Sequence, residues 1–254
     1  MFTTIRYILL TALRDWLFGG LFIALCLAAA ISSFLGSTAL VEKSQMSISF
    51  TAGSTRVILL TGIIVFVCFH VRRAFENREI EVIISRPISR ESFVIAYWLG
   101  FSLISLLLIA PLIAAIGIFW EVNLPGLLYW GSSIILEALL VVAFSLFTAL
   151  ILRSAVSAVM LCFGFYFLSR LMGFFLFILE KPYLFREFNF GVVTEKLLNL
   201  VSVIIPRLDQ YGKSDWLIYG INGDLSFQIF VTQSLIYVPF LLLMAIFDFK
   251  CRQF

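Results

Sequence analysis

Long apolar runs alternate with short polar segments along the chain, and these runs define the predicted elements. A helix rises about 1.5 Å per residue, so about 20 residues cross a hydrocarbon core of roughly 30 Å. The second run, 57–71, is short by this measure, and we expect its helix to begin nearer Phe50. That start would place Arg56 in the outer part of the membrane, where a long side chain can reach the interface. The six predicted spans are 16–36, 57–71, 93–120, 127–152, 156–180 and 227–249.

Composition supports a protein embedded in a membrane. The 254 residues are 62% hydrophobic and only 13% charged, whereas soluble domains carry about 25% charged residues. The pattern therefore predicts an all-α polytopic membrane protein with six transmembrane helices, formed by a single domain over 1–254, with no length left for a soluble catalytic domain. The first run has the flanking charges of a secretory signal, but it is long enough to span, so we expect it to be retained.

The distribution of Lys and Arg predicts the orientation. The segments assigned to the inner side carry 10 of these residues in 44 positions, and those assigned to the outer side carry 7 in 72. Because cytoplasmic loops are enriched in positive charge, both termini are expected in the cytoplasm. We also expect the membrane to be a bacterial inner membrane. The inner segments are 1–15, 72–92, 153–155 and 250–254, and the outer ones are 37–56, 121–126 and 181–226.

The longest polar segment, 181–226, is expected on the outer side. Apolar residues recur there at helical spacing between Val192 and Ile204, and Pro206 ends the pattern. Two interpretations fit equally well. The helix lies on or dips into the outer interface, or it only packs on the helix bundle.

The most highly charged stretch lies between the second and third runs. From Arg72 to Glu91 it holds five Arg and four Glu, so it cannot lie in hydrocarbon. Its apolar residues fall near one helical face, which predicts a short amphipathic helix along the membrane surface. Pro87 disfavours helix at the residue before it, so a sharp turn follows. Ser89 is placed to cap the third span.

Part of this stretch resembles a known signature. Permeases of the ABC-2 transporter family carry an acidic residue, a short apolar run and a Ser-(Lys/Arg)-Pro-(Ile/Val)-Ser-Arg turn before their third helix. Between Glu79 and Val94 this chain is similar, and its turn reads Ser85-Arg86-Pro87-Ile88-Ser89-Arg90. The segment from Ile205 to Tyr211 also resembles their Pro-x-Leu-(Asp/Glu)-x-(Phe/Tyr) segment. The resemblance is closest to the permeases of the multi-copper-enzyme-maturation kind.

The resemblance implies a type-2 ABC exporter half whose coupling helix docks on a cytoplasmic ATPase. It implies two partners, a dimer of ATPase subunits that binds ATP and Mg²⁺ and a second permease subunit, within a shell of membrane lipids. This chain would then bind no cofactor and catalyse no reaction. Arg6, Arg14 and Asp15 would lie on an interfacial helix near the same contact. The residues implied in coupling to the ATPase are Phe75, Glu76, Arg78, Glu79, Glu81, Ile84, Arg86, Pro87 and Arg90.

Two ionisable residues lie in the middle of predicted spans, Glu137 in the fourth and Arg170 in the fifth. Insertion scales give a cost of about 2.5–3.5 kcal/mol for an ionisable group at that depth, so each is expected to face a partner or a water-filled cavity. One interpretation is a structural pair that joins two neighbouring antiparallel helices. The other is a site that contacts the substrate.

Other function classes have weaker support. An ATP-independent secondary transporter would be expected to show internal repeats and several intramembrane acids, and only Glu137 is clearly at depth. An intramembrane enzyme would need a nucleophile and a base or a metal site. The chain has a single His, and its four Cys lack metal-ligand spacing, so we interpret the Cys as packing residues. Gly212-Lys213-Ser214 lacks the upstream Gly of a phosphate-binding loop. A net charge of +3 does not indicate nucleic-acid binding.

Overall fold

The computed structural model describes residues 2–38, 42–77, 90–120, 122–180, 200–201, 205–221 and 226–251. Within these residues the chain is helical and contains no strand. A short 3₁₀ turn spans Leu208–Gln210. The helices are α1 (Phe2–Arg14), α2 (Trp16–Ser37), α3 (Lys43–Glu76), α4 (Arg90–Phe119), α5 (Leu124–Ile151), α6 (Ala155–Glu180), α7 (Asp215–Tyr219) and α8 (Ser226–Cys251).

Six of the described helices, α2 to α6 and α8, are long and apolar enough to cross a membrane. The prediction of an all-α polytopic membrane protein with six spans is therefore confirmed, and the chain is an integral membrane protein. The largest difference in bounds concerns α3, which begins at Lys43 and has 34 residues, whereas its apolar run alone predicted a start at 57. Pro111 and Pro239 lie inside α4 and α8.

The early start of α3 follows from close packing against α2. Gly36 of α2 faces Ser47 of α3 so closely that a Cβ added to Gly36 would overlap Ser47. The hydroxyls of Ser32 and Ser54 lie 2.7 Å apart and share a hydrogen bond. Small residues let two helix backbones approach, and interhelical hydroxyl bonds stabilise the contact. Ser47 and Ser54 of α3 are therefore explained by helix packing.

α5 is the central helix of the bundle. It packs against α3, α4, α6, α7 and α8, and its buried residues recur around its whole circumference. Trp130, Ile134, Ala138 and Leu146 are all fully buried. A helix that is apolar on every side is expected in such a central position. A charged residue on α5 must therefore find its partner inside the protein.

Several helix ends meet at one end of the bundle. Arg90, the first residue of α4, donates to the carbonyl oxygens of Phe249 and Lys250 near the end of α8, at 3.0 Å each. Arg73, near the end of α3, lies 3.4 Å from the carboxylate of Asp15, which precedes α2. The start of α2, both sides of the charged stretch and the end of α8 therefore share one face, which we call the loop face.

Helix α1 packs along the loop-face end of α4. Its buried residues, Ile8 and Ala12, lie on one side, and Ile8 contacts α4 at Gly100. Tyr7, Leu10 and Leu13 are exposed. Asp15 ends α1 and caps α2 by accepting a hydrogen bond from the Leu17 N–H at 3.1 Å, which satisfies one of the free donors of a helix N-terminus.

Candidate functional site

The centre of the bundle contains a buried ion pair between α3 and α5. Arg56 Nε donates to Glu137 Oε2 at 2.7 Å, and Arg56 Nη2 lies 2.5 Å from the same oxygen. The two side chains are 2% and 0% exposed. The expectation that Arg56 reaches the outer interface is therefore wrong. Because α3 begins at Lys43, Arg56 lies well inside the helix, at the depth of Glu137.

Arg170 of α6 approaches the other carboxylate oxygen of Glu137. Its Nη1 lies 3.8 Å from Glu137 Oε1, too far for a direct hydrogen bond, and its side chain is 36% exposed. The structure thus brings Glu137 and Arg170 together, as one interpretation of the sequence expected. However, Arg56 is the hydrogen-bonded partner of the carboxylate, and Arg170 is a second, more distant cation.

Both arginines also bind the backbone of the segment between α6 and α8. Arg56 Nη1 donates to the Gly212 carbonyl oxygen at 2.9 Å. Arg170 Nη1 donates to the carbonyl oxygens of Leu208 and Tyr211, at 2.8 and 3.3 Å. Carbonyl groups of irregular backbone that are buried in a membrane protein need hydrogen-bond donors. The two guanidinium groups supply them, so the ion pair also holds this segment in place.

Gly212 adopts a conformation that suits glycine. Its φ is +55°, in the left-handed region, and a Cβ at this position would lie 2.6 Å from Arg56 Cζ. Its N–H donates to Ser133 Oγ of α5 at 3.0 Å. Any larger residue would combine backbone strain with a collision against the guanidinium. Gly212 therefore allows the segment to reach Arg56.

The remainder of segment 205–221 is packed into the bundle by aromatic residues. Tyr211 is buried and donates from its hydroxyl to the Phe230 carbonyl oxygen at 2.9 Å. Burial raises the pKa of Tyr211 above its usual value, so the hydroxyl stays protonated and remains a donor. Trp216 packs edge-on against Tyr129 of α5, with ring centroids 4.6 Å apart. The segment therefore inserts between α5, α6 and α8.

These observations bear on the two interpretations of the long outer segment. The apolar pattern that predicted an amphipathic helix, Val192 to Ile204, lies almost entirely outside the described residues. The part that is described, 205–221, packs within the bundle and contacts α3, α5, α6 and α8. Residues 205–221 therefore pack on the helix bundle, as the second interpretation expects.

The charges of the site do not balance. Arg56 and Arg170 contribute two positive charges, and Glu137 contributes one negative charge. Asp209 is paired with Arg207 at 3.1 Å. Glu137 Oε1 accepts no hydrogen bond within the described part of the chain. Such an arrangement can hold helices together and bind or release an anion. No group of three His, Cys, Asp or Glu among the described residues could hold a metal ion.

The residues implied in ATPase coupling are only partly described. Phe75 is half-buried, and Arg72 lies over its ring at 5.2 Å. Glu76 is exposed at the end of α3. Arg90 is engaged with the end of α8 through its two carbonyl contacts. The other six coupling residues lie outside the described residues, and they are Arg78, Glu79, Glu81, Ile84, Arg86 and Pro87.

Two of the four cysteines lie near one another, which sequence spacing did not suggest. Cys68 of α3 and Cys162 of α6 are buried with their sulfur atoms 4.0 Å apart. The Thr148 hydroxyl lies 2.9 Å from the Cys162 sulfur. Cys26 and Cys251 are exposed. The buried pair packs α3 against α6 on the loop-face side of the ion pair.

Comparison of the chain with protein-family models and with the curated proteins finds no match.

Proposed function

We propose that the chain is the membrane subunit of an ABC transporter. In this proposal it forms half of a substrate path, acts in export, and is driven by a separate cytoplasmic ATPase dimer that binds ATP and Mg²⁺. A second permease subunit completes the path. The observation that carries the proposal is the Ser-Arg-Pro-Ile-Ser-Arg turn between two spans, because it resembles the segment by which such permeases contact their ATPase.

The helix ends on the loop face support this proposal. α3 ends at Glu76 and α4 begins at Arg90, so the charged stretch joins two spans directly. Arg90 is hydrogen-bonded to carbonyl oxygens of α8, and Arg73 forms an ion pair with Asp15. A partner that displaces the stretch would therefore act on α2, α3, α4 and α8 together. This is the mechanical requirement for coupling ATP-driven motion to a membrane path.

α3 provides a route from the loop face to the ion pair. Arg56 lies twenty positions before Glu76, which corresponds to roughly 30 Å of helix. A long helix transmits displacement along its axis, so movement at Glu76 would reach Arg56 and its bonds to Glu137 and Gly212. In the proposal, ATPase closure shifts α3, and the shift loosens segment 205–221 at the far side.

The test is whether a cytoplasmic ABC-type ATPase co-purifies with the chain. Glu76→Arg, Glu79→Arg and Glu81→Arg should each reduce recovered ATPase at least about tenfold, since each reverses a charge at the contact. Asp215→Arg is the matched control, because Asp215 is an exposed acid on the segment distant from the loop face. Equal ATPase recovery by all four variants and the unaltered chain would refute the docking site.

The buried acid at Glu137 favours one alternative, an ATP-independent secondary transporter. The two functions differ in their energy source. Substrate movement into proteoliposomes that hold the chain alone, driven by an ion gradient, would support the alternative. Movement that requires both the ATPase and hydrolysable ATP would support the ABC transporter subunit.

A further inference from the structure

Two adjoining cavities open on the surface of the bundle near the loop face, and Trp16 borders both. The first has a volume of about 670 Å³ and lies at the junction of α1 and α2. It is lined by the charged residues Arg14, Asp15 and Arg73 and by other residues of α1. We call it the polar cavity.

The second cavity has a volume of about 420 Å³ and is almost entirely apolar. It runs between α2 and α3, and Phe163 of α6 also borders it. Gly20 leaves part of it open, because a Cβ added there would touch nothing within 4 Å. We call it the apolar groove, and it is lined by Leu17, Gly20, Leu21, Ile58, Val65 and Phe163 among others.

The polar cavity carries a surplus of positive charge. Arg73 pairs with Asp15 at 3.4 Å, but its side chain is 61% exposed. Asp15 is also engaged in capping α2 through the Leu17 N–H. Arg14 is exposed and makes no ion pair within the described part of the chain. Arg14 and Arg73 carry two positive charges, and Asp15 carries one negative charge. One positive charge is therefore left for an anionic group.

The depth of the groove matches one leaflet of a bilayer. Along α3, Arg73 and Ile58 are fifteen positions apart, or about 22 Å of helix. Half of a hydrocarbon core is about 15 Å, and the headgroup region adds several more. Trp16 lies at the boundary between the polar cavity and the groove and is 90% exposed. Tryptophan is enriched at membrane interfaces, so this position fits the boundary between headgroups and acyl chains.

We propose that the polar cavity and the apolar groove form one binding site for an anionic phospholipid. The phosphate lies between Arg14 and Arg73, and one acyl chain follows the groove between α2 and α3. The site draws its lipid from the leaflet on the loop-face side. It requires only that the chain is embedded in a membrane, so it stands independently of the ABC transporter proposal.

Native mass spectrometry of the full chain in detergent tests the site. The protein is mixed with equal amounts of phosphatidylglycerol and phosphatidylcholine that carry identical acyl chains. The unaltered chain should retain one phosphatidylglycerol in preference to phosphatidylcholine. Arg14→Gln with Arg73→Gln should lower that retention at least about fivefold, since one basic residue near a membrane contributes about this factor. Arg153→Gln is the charge control, because Arg153 is exposed outside the cavity.

Two neighbouring glycines test the groove. Gly20→Phe should fill it and expel the lipid, whereas Gly19→Phe should not, because Gly19 does not line the groove and a Cβ there also meets nothing within 4 Å. Helix content by circular dichroism checks that each variant folds. Equal retention of the two lipids by the unaltered chain would overturn the proposal. So would a loss in Arg153→Gln as large as in the double variant, or a Gly20→Phe chain that keeps its lipid. A Gly20→Phe chain that only dissociates from a second copy would identify a protein interface instead.

Discussion

Arg56 Nε and Glu137 Oε2 lie 2.7 Å apart in the most buried part of the bundle, and they join α3 to α5. The same guanidinium binds the Gly212 carbonyl oxygen, so one side chain connects two spans and the segment before α8. A buried charge pair stabilises a protein only when its geometry is good and its other donors are satisfied. Here Arg56 Nη1 is satisfied by the Gly212 carbonyl oxygen, while Glu137 Oε1 accepts no hydrogen bond within the described residues.

Removing Arg56 should therefore be more damaging than removing the whole pair. Arg56→Met leaves the Glu137 carboxylate without its hydrogen-bonded partner, and this typically costs about 3–5 kcal/mol. Adding Glu137→Met should recover a large part of that loss. Unfolding in mixed micelles, followed by circular dichroism, measures the four free energies of the double-mutant cycle. A coupling energy near zero would contradict the pairing.

The coupling between Arg170 and Glu137 should be weaker. Their closest atoms are 3.8 Å apart and the Arg170 side chain is 36% exposed, so the pair lacks the direct hydrogen bond that Arg56 makes with Glu137. We expect a coupling energy of about 1 kcal/mol or less, typical of partly exposed pairs. The same unfolding assay on Arg170→Met, Glu137→Gln and the double variant measures it. A value as large as that of the Arg56 cycle would show that Arg170 is an equal partner.

Gly212→Ala should destabilise the protein by about 2 kcal/mol or more. The left-handed φ of +55° costs an L-residue about 1–2 kcal/mol, and the new Cβ would press on the Arg56 guanidinium. Gly164→Ala is the control, because a Cβ at Gly164 of α6 meets nothing within 4 Å. The control should be neutral or slightly stabilising, as alanine is the better helix former. If both variants unfold at the same denaturant concentration, the predicted strain at Gly212 is absent.

The number of spanning helices could be predicted because apolar runs of about 20 residues have few other structures open to them. The start of α3 could not be predicted this way, because Ser47 and Thr51 lower the apolarity of the run. Both are buried inside the protein. Their spacing of four residues was the available signal, since small polar residues at i and i+4 are typical of close helix packing.

The nearer partner of Glu137, Arg56, could not be predicted for the same reason. Sequence neighbours suggested α6, because adjacent antiparallel spans share depth, and Arg56 was placed at the interface by the late start of α3. Once α3 begins at Lys43, Arg56 and Glu137 each lie thirteen positions from the start of their helix. The insertion of segment 205–221 had no sequence signal of this kind, because it depends on backbone carbonyls that any residue supplies.

The sidedness of the bundle is the last prediction. The orientation predicted from Lys and Arg places positions 90, 153 and 250 in the cytoplasm and positions 196 and 213 outside. The contacts of Arg90 with α8 group 90 with 250 on the loop face, and Lys213 lies on the segment that joins the bundle near Ser133. Each position is changed singly to Cys after the four native cysteines are replaced. An impermeant thiol reagent should then label 196 and 213 on intact cells.

Positions 90, 153 and 250 should label only after lysis. Arg153→Cys serves as the control for access, because Arg153 is exposed and forms no ion pair within the described residues, whereas Arg90→Cys also removes two hydrogen bonds. Labelling of positions 90 and 153 on intact cells would show that the orientation is opposite to the predicted one. The charged stretch would then face away from any cytoplasmic ATPase, and the proposed transporter function would fail, while the lipid site would move to the opposite leaflet with its geometry unchanged.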